Sequence, residues 1–144
     1  MNHEETVKLL RECNAGIKMG LSSIDEVLPR IKDDQFKNIL ESGKEEHSRL
    51  GDETHKLLDQ YRDDDKEPSP IAKGMSWVMT NVKMVANPTD SAIADLMTDG
   101  CNMGVKSLSR YLNQYPTADD RVVQLTNRLI RLEEDMACDM RTYL

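Results

Sequence analysis

The chain has 144 residues, 26 acidic against 19 basic side chains and a formal net charge of −7. That balance argues against nucleic acid or an anionic membrane surface as the main partner, since no basic stripe is present, and no apolar run reaches the roughly 18 residues of a membrane-spanning helix. The length suits one domain with a real core; with only 4% aromatic residues that core must be aliphatic, and nine Met are available to fill it.

The amino-terminal stretch Met1-Asn2-His3-Glu4-Glu5 is polar and acidic, unlike a signal peptide. Helix 1 is predicted from about residue 5 to 28, with Leu10, Cys13, Ile17, Leu21, Ile24 and Leu28 on one face. Pro29 and Lys32-Asp33-Asp34 end it and cap the next helix. Helix 2, about 34–61, carries the cleanest stripe: Phe36, Ile39, Leu40, Gly43, His47, Leu50, Gly51, Thr54, Leu57, Leu58 and Tyr61. A charged, proline-punctuated linker follows, and Ile71, Met75, Val78, Met79, Val82 and Val85 predict a short helix at about 71–85 within a crossover at 62–90. Helix 3, about 91–114, turns Ile93, Met97, Cys101, Leu108 and Tyr111 inward. Pro116-Thr117 turns the chain into helix 4, about 118–143, with Val122, Leu125, Leu129, Leu132, Glu133, Met136, Met140 and Tyr143 inward.

Two segments read as copies. Cys13-Asn14-Ala15-Gly16-Ile17-Lys18 recurs as Cys101-Asn102-Met103-Gly104-Val105-Lys106, each followed by a proline turn and a second helix. Two such hairpins make a four-helix bundle, and short turns within each pair make each pair antiparallel. The join between the pairs is long enough to travel the length of the bundle. Lys18 and Lys106 flank the stripes as boundary residues. The sparse, odd set of Cys13, Cys101 and Cys138, with no CxxC, points to reduced thiols in a cytoplasm.

Residues that break the apolar pattern mark where to look for function. Gly16-xxx-Gly20 and Gly100-xxx-Gly104 place small residues along helices 1 and 3, either for close helix approach or as room for a ligand. Gly43 and Gly51 flank His47 one turn away on each side and are expected to clear space around its imidazole. Glu133 sits on the inward stripe of helix 4, where a buried carboxylate must be paired, hydrogen-bonded or protonated. Counting from the turns puts Cys13 or Asn14, His47, Cys101 and Glu133 in one layer. Three readings stay open there: a structural His47–Glu133 pair that fixes helix register; a metal site with His47 and Glu133 as ligands, completed by Cys13, Cys101 or Asn14, for a transition metal such as Fe or Zn; or one of these residues facing solvent. His3 and His55 are expected at the surface. No Ser-His-Asp set, phosphate-cradling Gly loop or HExxH is present.

Leu9-Leu10, Cys13 to Lys18, Val27-Leu28-Pro29 and a following helix carrying Glu46-His47 together resemble bacterial ferritin-like domains, closest to uncharacterised families related to spore-coat ferritin-like proteins. The resemblance implies an all-α, antiparallel four-helix bundle with one long crossover. Catalytic members of that superfamily hold two irons with a Glu from each of two helices and an ExxH from each of the other two. Here Lys44 stands three before His47 and Met136 three after Glu133; Glu12 is expected opposite the helix 1 stripe, and Asp95 and Asp99 outward. The expectation is therefore a non-catalytic interaction or assembly protein, with a homo-oligomer or protein partner, no resident cofactor, and no nucleic-acid or membrane partner. The alternatives are a metal-binding protein or degenerate oxidoreductase using His47 and Glu133, and a binder of small ligands or helical peptides in a Met-lined groove beside the crossover.

Overall fold

In the computed structural model, residues 2–61 and 88–144 are described. They form four long helices, α1 (His3–Val27), α2 (Asp34–Gln60), α3 (Asp90–Gln114) and α4 (Asp120–Met140), with 3₁₀ turns at Leu28–Arg30 and Arg141–Tyr143. The helix expected at 71–85, and with it the Met-lined groove beside the crossover, lies outside the described residues. Among the described residues there is no strand, and no helix is long and apolar enough to cross a membrane.

Side-chain caps set where the helices begin. Asn2, Asp33, Thr89 and Asp119 each accept a backbone N–H from the first turn they precede, satisfying a donor the helix itself leaves free. Asn2 thereby starts α1 two residues ahead of the expected Glu5. Asp119 likewise holds the start of α4 at Asp120, two residues past the expected Ala118. At the other end α4 stops at Met140 and tightens into 3₁₀ geometry, so Tyr143 falls beyond it, stacked on Phe36 with ring centroids 4.8 Å apart.

The direction of each helix follows from what meets at the two ends of the bundle. At one end the Asn2 N–H donates to the Thr117 carbonyl, the Asp119 N–H donates to the Thr6 hydroxyl, and the Tyr61 hydroxyl donates to Asp119 Oδ2 at 2.6 Å. The start of α1, the end of α2 and the α3–α4 turn therefore lie together. Asp119 also accepts the Arg121 N–H; the Tyr61 hydroxyl first, and that N–H second, hold its carboxyl down at about 2. At the opposite end the two Asp90 oxygens accept the Lys32 and Asp33 N–H groups, both at 2.9 Å, which docks the start of α3 on the α1–α2 turn. So α1 and α4 run one way and α2 and α3 the other, and the chain passes from one end to the other between Tyr61 and Pro88. The principal packings are α1 on α2 and α3 on α4; α2 also meets α4, and α1 meets α3 and, across the short diagonal, α4.

The apolar core comes in two parts. One, nearer the Asp90 end, includes Ile24, Val27, Phe36, Leu40, Ile93, Met97, Cys101, Met136 and Met140. The other, nearer the Thr117 end, includes Leu9, Leu10, Cys13, Ile17, Leu50, Leu58, Leu108, Leu125 and Leu129. Both use aliphatic and Met side chains, as the scarcity of aromatics requires.

Asp90 is a polar link between the two hairpins at its end of the bundle. Asp90→Ala should lower unfolding stability by about 1–2 kcal/mol through two lost backbone acceptors. Ser91→Ala, on the exposed neighbouring residue, should stay within about 0.5 kcal/mol of the parent protein. Urea denaturation of the two variants makes the comparison.

Candidate functional site

One residue from each helix interrupts the apolar core at its middle. Gly20 lies between Ile17 and Ile24 on α1, His47 between Leu40 and Leu50 on α2, Gly104 between Cys101 and Leu108 on α3, and Glu133 between Leu129 and Met136 on α4. In each case the flanking apolar residues belong to different core clusters. The layer so formed is polar on α2 and α4 and lacks side chains on α1 and α3.

His47 is buried, with 1% of its side chain exposed, and Glu133 nearly so at 12%. The imidazole Nδ1 lies 2.7 Å from the Gly43 carbonyl oxygen, and Nε2 lies 2.7 Å from Glu133 Oε1. A carbonyl only accepts, so Nδ1 must donate to it. Nε2 and Oε1 then hold one proton between them, as imidazolium and carboxylate or as imidazole and carboxylic acid. Either way the unit of ring, carboxyl and proton is neutral, which is what lets two titratable groups stay buried. Burial, the largest single influence on His47, pulls its pKa down. The hydrogen bond and charge of Glu133, with the Gly43 carbonyl, outweigh it, and the net direction is up.

Close approach by α1 fixes the ring from the other side. A Cβ placed on Gly20 would lie 2.7 Å from both Cδ2 and Nε2 of His47. The glycine that clears space for the imidazole is therefore on the facing helix, and the expectation for Gly43 and Gly51 is corrected. A Cβ on Gly43 would meet the Met136 thioether at 2.8 Å, and one on Gly51 would meet Ile17 at 3.3 Å. Positions one turn from His47 on its own helix look across to α4 and α1, not at the ring.

Cys101 joins the pair: its thiol hydrogen-bonds Glu133, and burial, followed by the Glu133 charge, pushes its pKa far up. Cys13 sits apart, in the other core cluster. Its Sγ lies 3.1 Å from the Thr126 hydroxyl, two turns from Glu133 along α4. Thr126 gives its own proton to the Val122 carbonyl, so the thiol donates to the hydroxyl. Burial holds that thiol protonated, pushing its pKa up to about 12. Of the four candidate ligands, the fold brings together His47, Glu133 and Cys101 and leaves Cys13 elsewhere. Asn14 is buried on α1. Among the described residues no group of three or more His, Cys, Asp or Glu is arranged to hold a metal ion.

A cleft of about 200 Å³ opens onto this layer between α1 and α3. Gly16 and Gly20 line it from α1, Gly100 and Gly104 from α3, and His47 and Glu133 reach its floor. The two small-residue stripes thus bound a space. A Cβ on Gly100 would meet nothing within 4 Å, and one on Gly104 would only touch Glu133 at 3.7 Å. Met19, Met97, Met103 and Met136 give the lining a polarizable apolar character.

The chain matches no protein-family model, no curated protein and no solved structure. The site must be read from its own chemistry.

Glu12 is a further residue that the sequence placed wrongly. It lines the cleft on α1 opposite Tyr111 of α3, with Oε2 shielded from solvent and without a hydrogen-bond partner. The expectation counted Glu12 from the apolar stripe of one face. The buried face of α1 is wider than that stripe, taking in Leu9, Asn14, Ala15, Ser23 and Val27 because α1 contacts all three other helices. Burial raises the Glu12 pKa, and the Tyr111 hydroxyl, donating to it, works the other way. His3 and His55 are exposed; His3 rests against the Tyr61 ring at 5.3 Å.

Two outcomes test this geometry. Gly20→Ala should destabilise by about 1–3 kcal/mol through overpacking on the imidazole, while Gly100→Ala, with open space before it, should stabilise by up to about 1 kcal/mol; thermal or urea unfolding gives both signs. The second outcome concerns pH. The folded state holds the His47 proton more tightly than the unfolded chain, so the contribution of the pair is complete below the unfolded imidazole pKa of about 6.5 and is lost as pH rises through the higher folded value. In Glu133→Gln the carboxylate charge is gone, burial prevails and the folded pKa falls below the unfolded one. Relative to the parent protein, the variant should gain stability as pH rises from about 6 to 9. Urea midpoints across that range measure the difference, with His3 and His55 common to both proteins.

Proposed function

We propose that this chain is a non-catalytic, ferritin-like bundle that acts by binding, and that its binding surface is the cleft between α1 and α3. The ferritin-like reading is supported by the helix directions, with α1 and α4 opposed to α2 and α3 and the chain crossing from end to end between Tyr61 and Pro88. Only this order, among simple four-helix bundles, needs a single long crossover between two hairpins.

The di-iron centre of catalytic ferritin-like proteins does not fit these residues. Lys44, at the position of the expected Glu, pairs with Asp25 at 2.6 Å on the surface. Met136, at the position of the second His, packs against Gly43. Both nitrogens of His47 are committed, one to a carbonyl and one to Glu133. The residues that remain can hold a proton and shape a cavity.

The observation that carries the binding reading is the cleft itself, lined by glycines from two helices and reaching the polar layer at the middle of the core. Each glycine costs a helix interior about 1 kcal/mol relative to alanine, and Gly100 has no steric reason to be one. A cavity of about 150 Å³ with aliphatic walls accepts a benzene-sized molecule, so about 200 Å³ suits a compact molecule of similar or slightly larger size. The outer surface offers less: among the described residues only Met103 and Leu144 are large apolar side chains in the exposed class. Met103 itself stands at the mouth of the cleft.

Binding of 1-hexanol or benzene, followed by amide chemical shifts on α1 and α3, tests the proposal. A ligand at a hundred times its Kd should stabilise the fold by about 2.7 kcal/mol, and Gly104→Leu, which fills the cleft, should abolish both the shifts and the stabilisation. Absence of binding by both molecules to the parent protein would move the function to the protein's outer faces.

A further inference from the structure

We propose that the α1–α3 cleft selects small organic amines, taking the ammonium group at Glu12 and laying the hydrocarbon along the glycine stripes toward the His47 layer. This rests on the cleft being the binding surface, and it adds the chemical class of the ligand.

The charges lining the cleft are unbalanced in one direction. Its ionisable side chains are Glu12, His47, Glu133, Cys101 and Tyr111, with no Lys or Arg among them. Glu133 is answered by His47 at 2.7 Å, so that pair contributes no net charge. Glu12 has no such partner: the Tyr111 hydroxyl reaches one side of its carboxyl, and Oε2 is left buried with nothing donating to it. A buried carboxylate oxygen without a donor is a costly thing to retain. A ligand that brings an N–H and a positive charge into the cleft balances that charge, and with a turn of the carboxyl group about its soft terminal torsion it meets Oε2 as well, whereas a hydroxyl supplies only the donor and a carboxylate worsens the charge.

The surroundings suit an ammonium with an apolar tail. The Tyr111 hydroxyl holds one side of the Glu12 carboxyl, and its ring, stacked on Tyr115 with centroids 6.3 Å apart, is fixed in place. Beyond it the walls are Gly16 and Gly104, then Met19, Gly20 and Gly100, with Met97 further along. From Glu12 to Ser23 the helix rises about 16 Å, room for a chain of about six carbons with its head group at Glu12. A short alkylamine therefore matches the cleft in length, in the place of its charge and in the softness of its walls.

The test compares hexylamine, 1-hexanol and hexanoate at pH 7.5 on the full chain, with amide shift titrations giving the Kd and the location of each. Hexylamine should bind about tenfold more tightly than 1-hexanol, the ratio expected when a neutral hydrogen bond becomes a charge-assisted one, and hexanoate should bind most weakly. In Glu12→Gln the advantage of the amine over the alcohol should disappear while 1-hexanol binding persists. Equal affinities for amine and alcohol, hexanoate as tight as the amine, or an amine advantage that survives Glu12→Gln would each overturn the proposal while leaving the cleft a binding site. Failure of all three probes would overturn the cleft reading with it.

Discussion

A single proton shared between His47 and Glu133 sets the terms for the middle of this bundle. The Gly43 carbonyl forces the imidazole to donate from Nδ1, and the other nitrogen faces a carboxylate. The bundle has therefore to close around a unit that is neutral as a whole but polar throughout. Apolar side chains cannot cover it without leaving donors or acceptors unmet, so the core divides there into two clusters. The glycines on α1 and α3 answer the same constraint, one giving way to the ring and the other leaving the carboxylate a route to the cleft. Burying such a pair contributes little net stability. Its strength is directional: the ring and carboxyl meet in one register of α2 against α4.

The cleft follows from that layer. Where α1 meets α3 the residues facing each other are small, and the wider apolar side chains sit one turn above and below. The two helices stay apart because their neighbours α2 and α4, joined through the central pair and by packing along their length, hold them at that spacing. Small residues permit close approach but do not compel it; what compels it is apolar surface waiting to be covered. At this interface the covering side chains turn to the floor and ends, and the middle is left open.

Much of this was legible in the residues. Helical periodicity and proline punctuation mark the four helices, since 3.6-residue spacing of Leu, Ile and Met has no other simple reading. His47 and Glu133 stand out because each is a polar residue on a stripe that is otherwise apolar for several turns, and the depth count that placed them together needs only the helix rise. The depth of Cys13 was not legible to the same precision. Its distance from the turn depends on where the 3₁₀ segment Leu28–Arg30 stops and on the stagger between the two hairpins, which the Asp90 and Thr117 contacts fix. Glu12 was misplaced for a different reason: a stripe drawn for a helix with one buried face does not describe α1, which touches three neighbours. The role of Gly20 was hidden because no sequence spacing relates it to His47. Only the packing of α1 across α2 shows that the missing Cβ is where the imidazole lies.

The pairing of His47 with Glu133 has a bearing on how the two hairpins are related. Each is the fourteenth residue of its helix, counted from Asp34 and from Asp120, and each of these helices is preceded by an aspartate cap. They thus stand equally far along the second helix of each half. Two identical hairpins brought together in this way would set imidazole against imidazole, or carboxylate against carboxylate, in the driest part of the molecule. Joining the halves in one chain frees that position from self-pairing. A single base and a single acid can then stand where symmetry would have demanded two of a kind, which makes the asymmetry at the centre of the bundle a property that a dimer of one hairpin could not have.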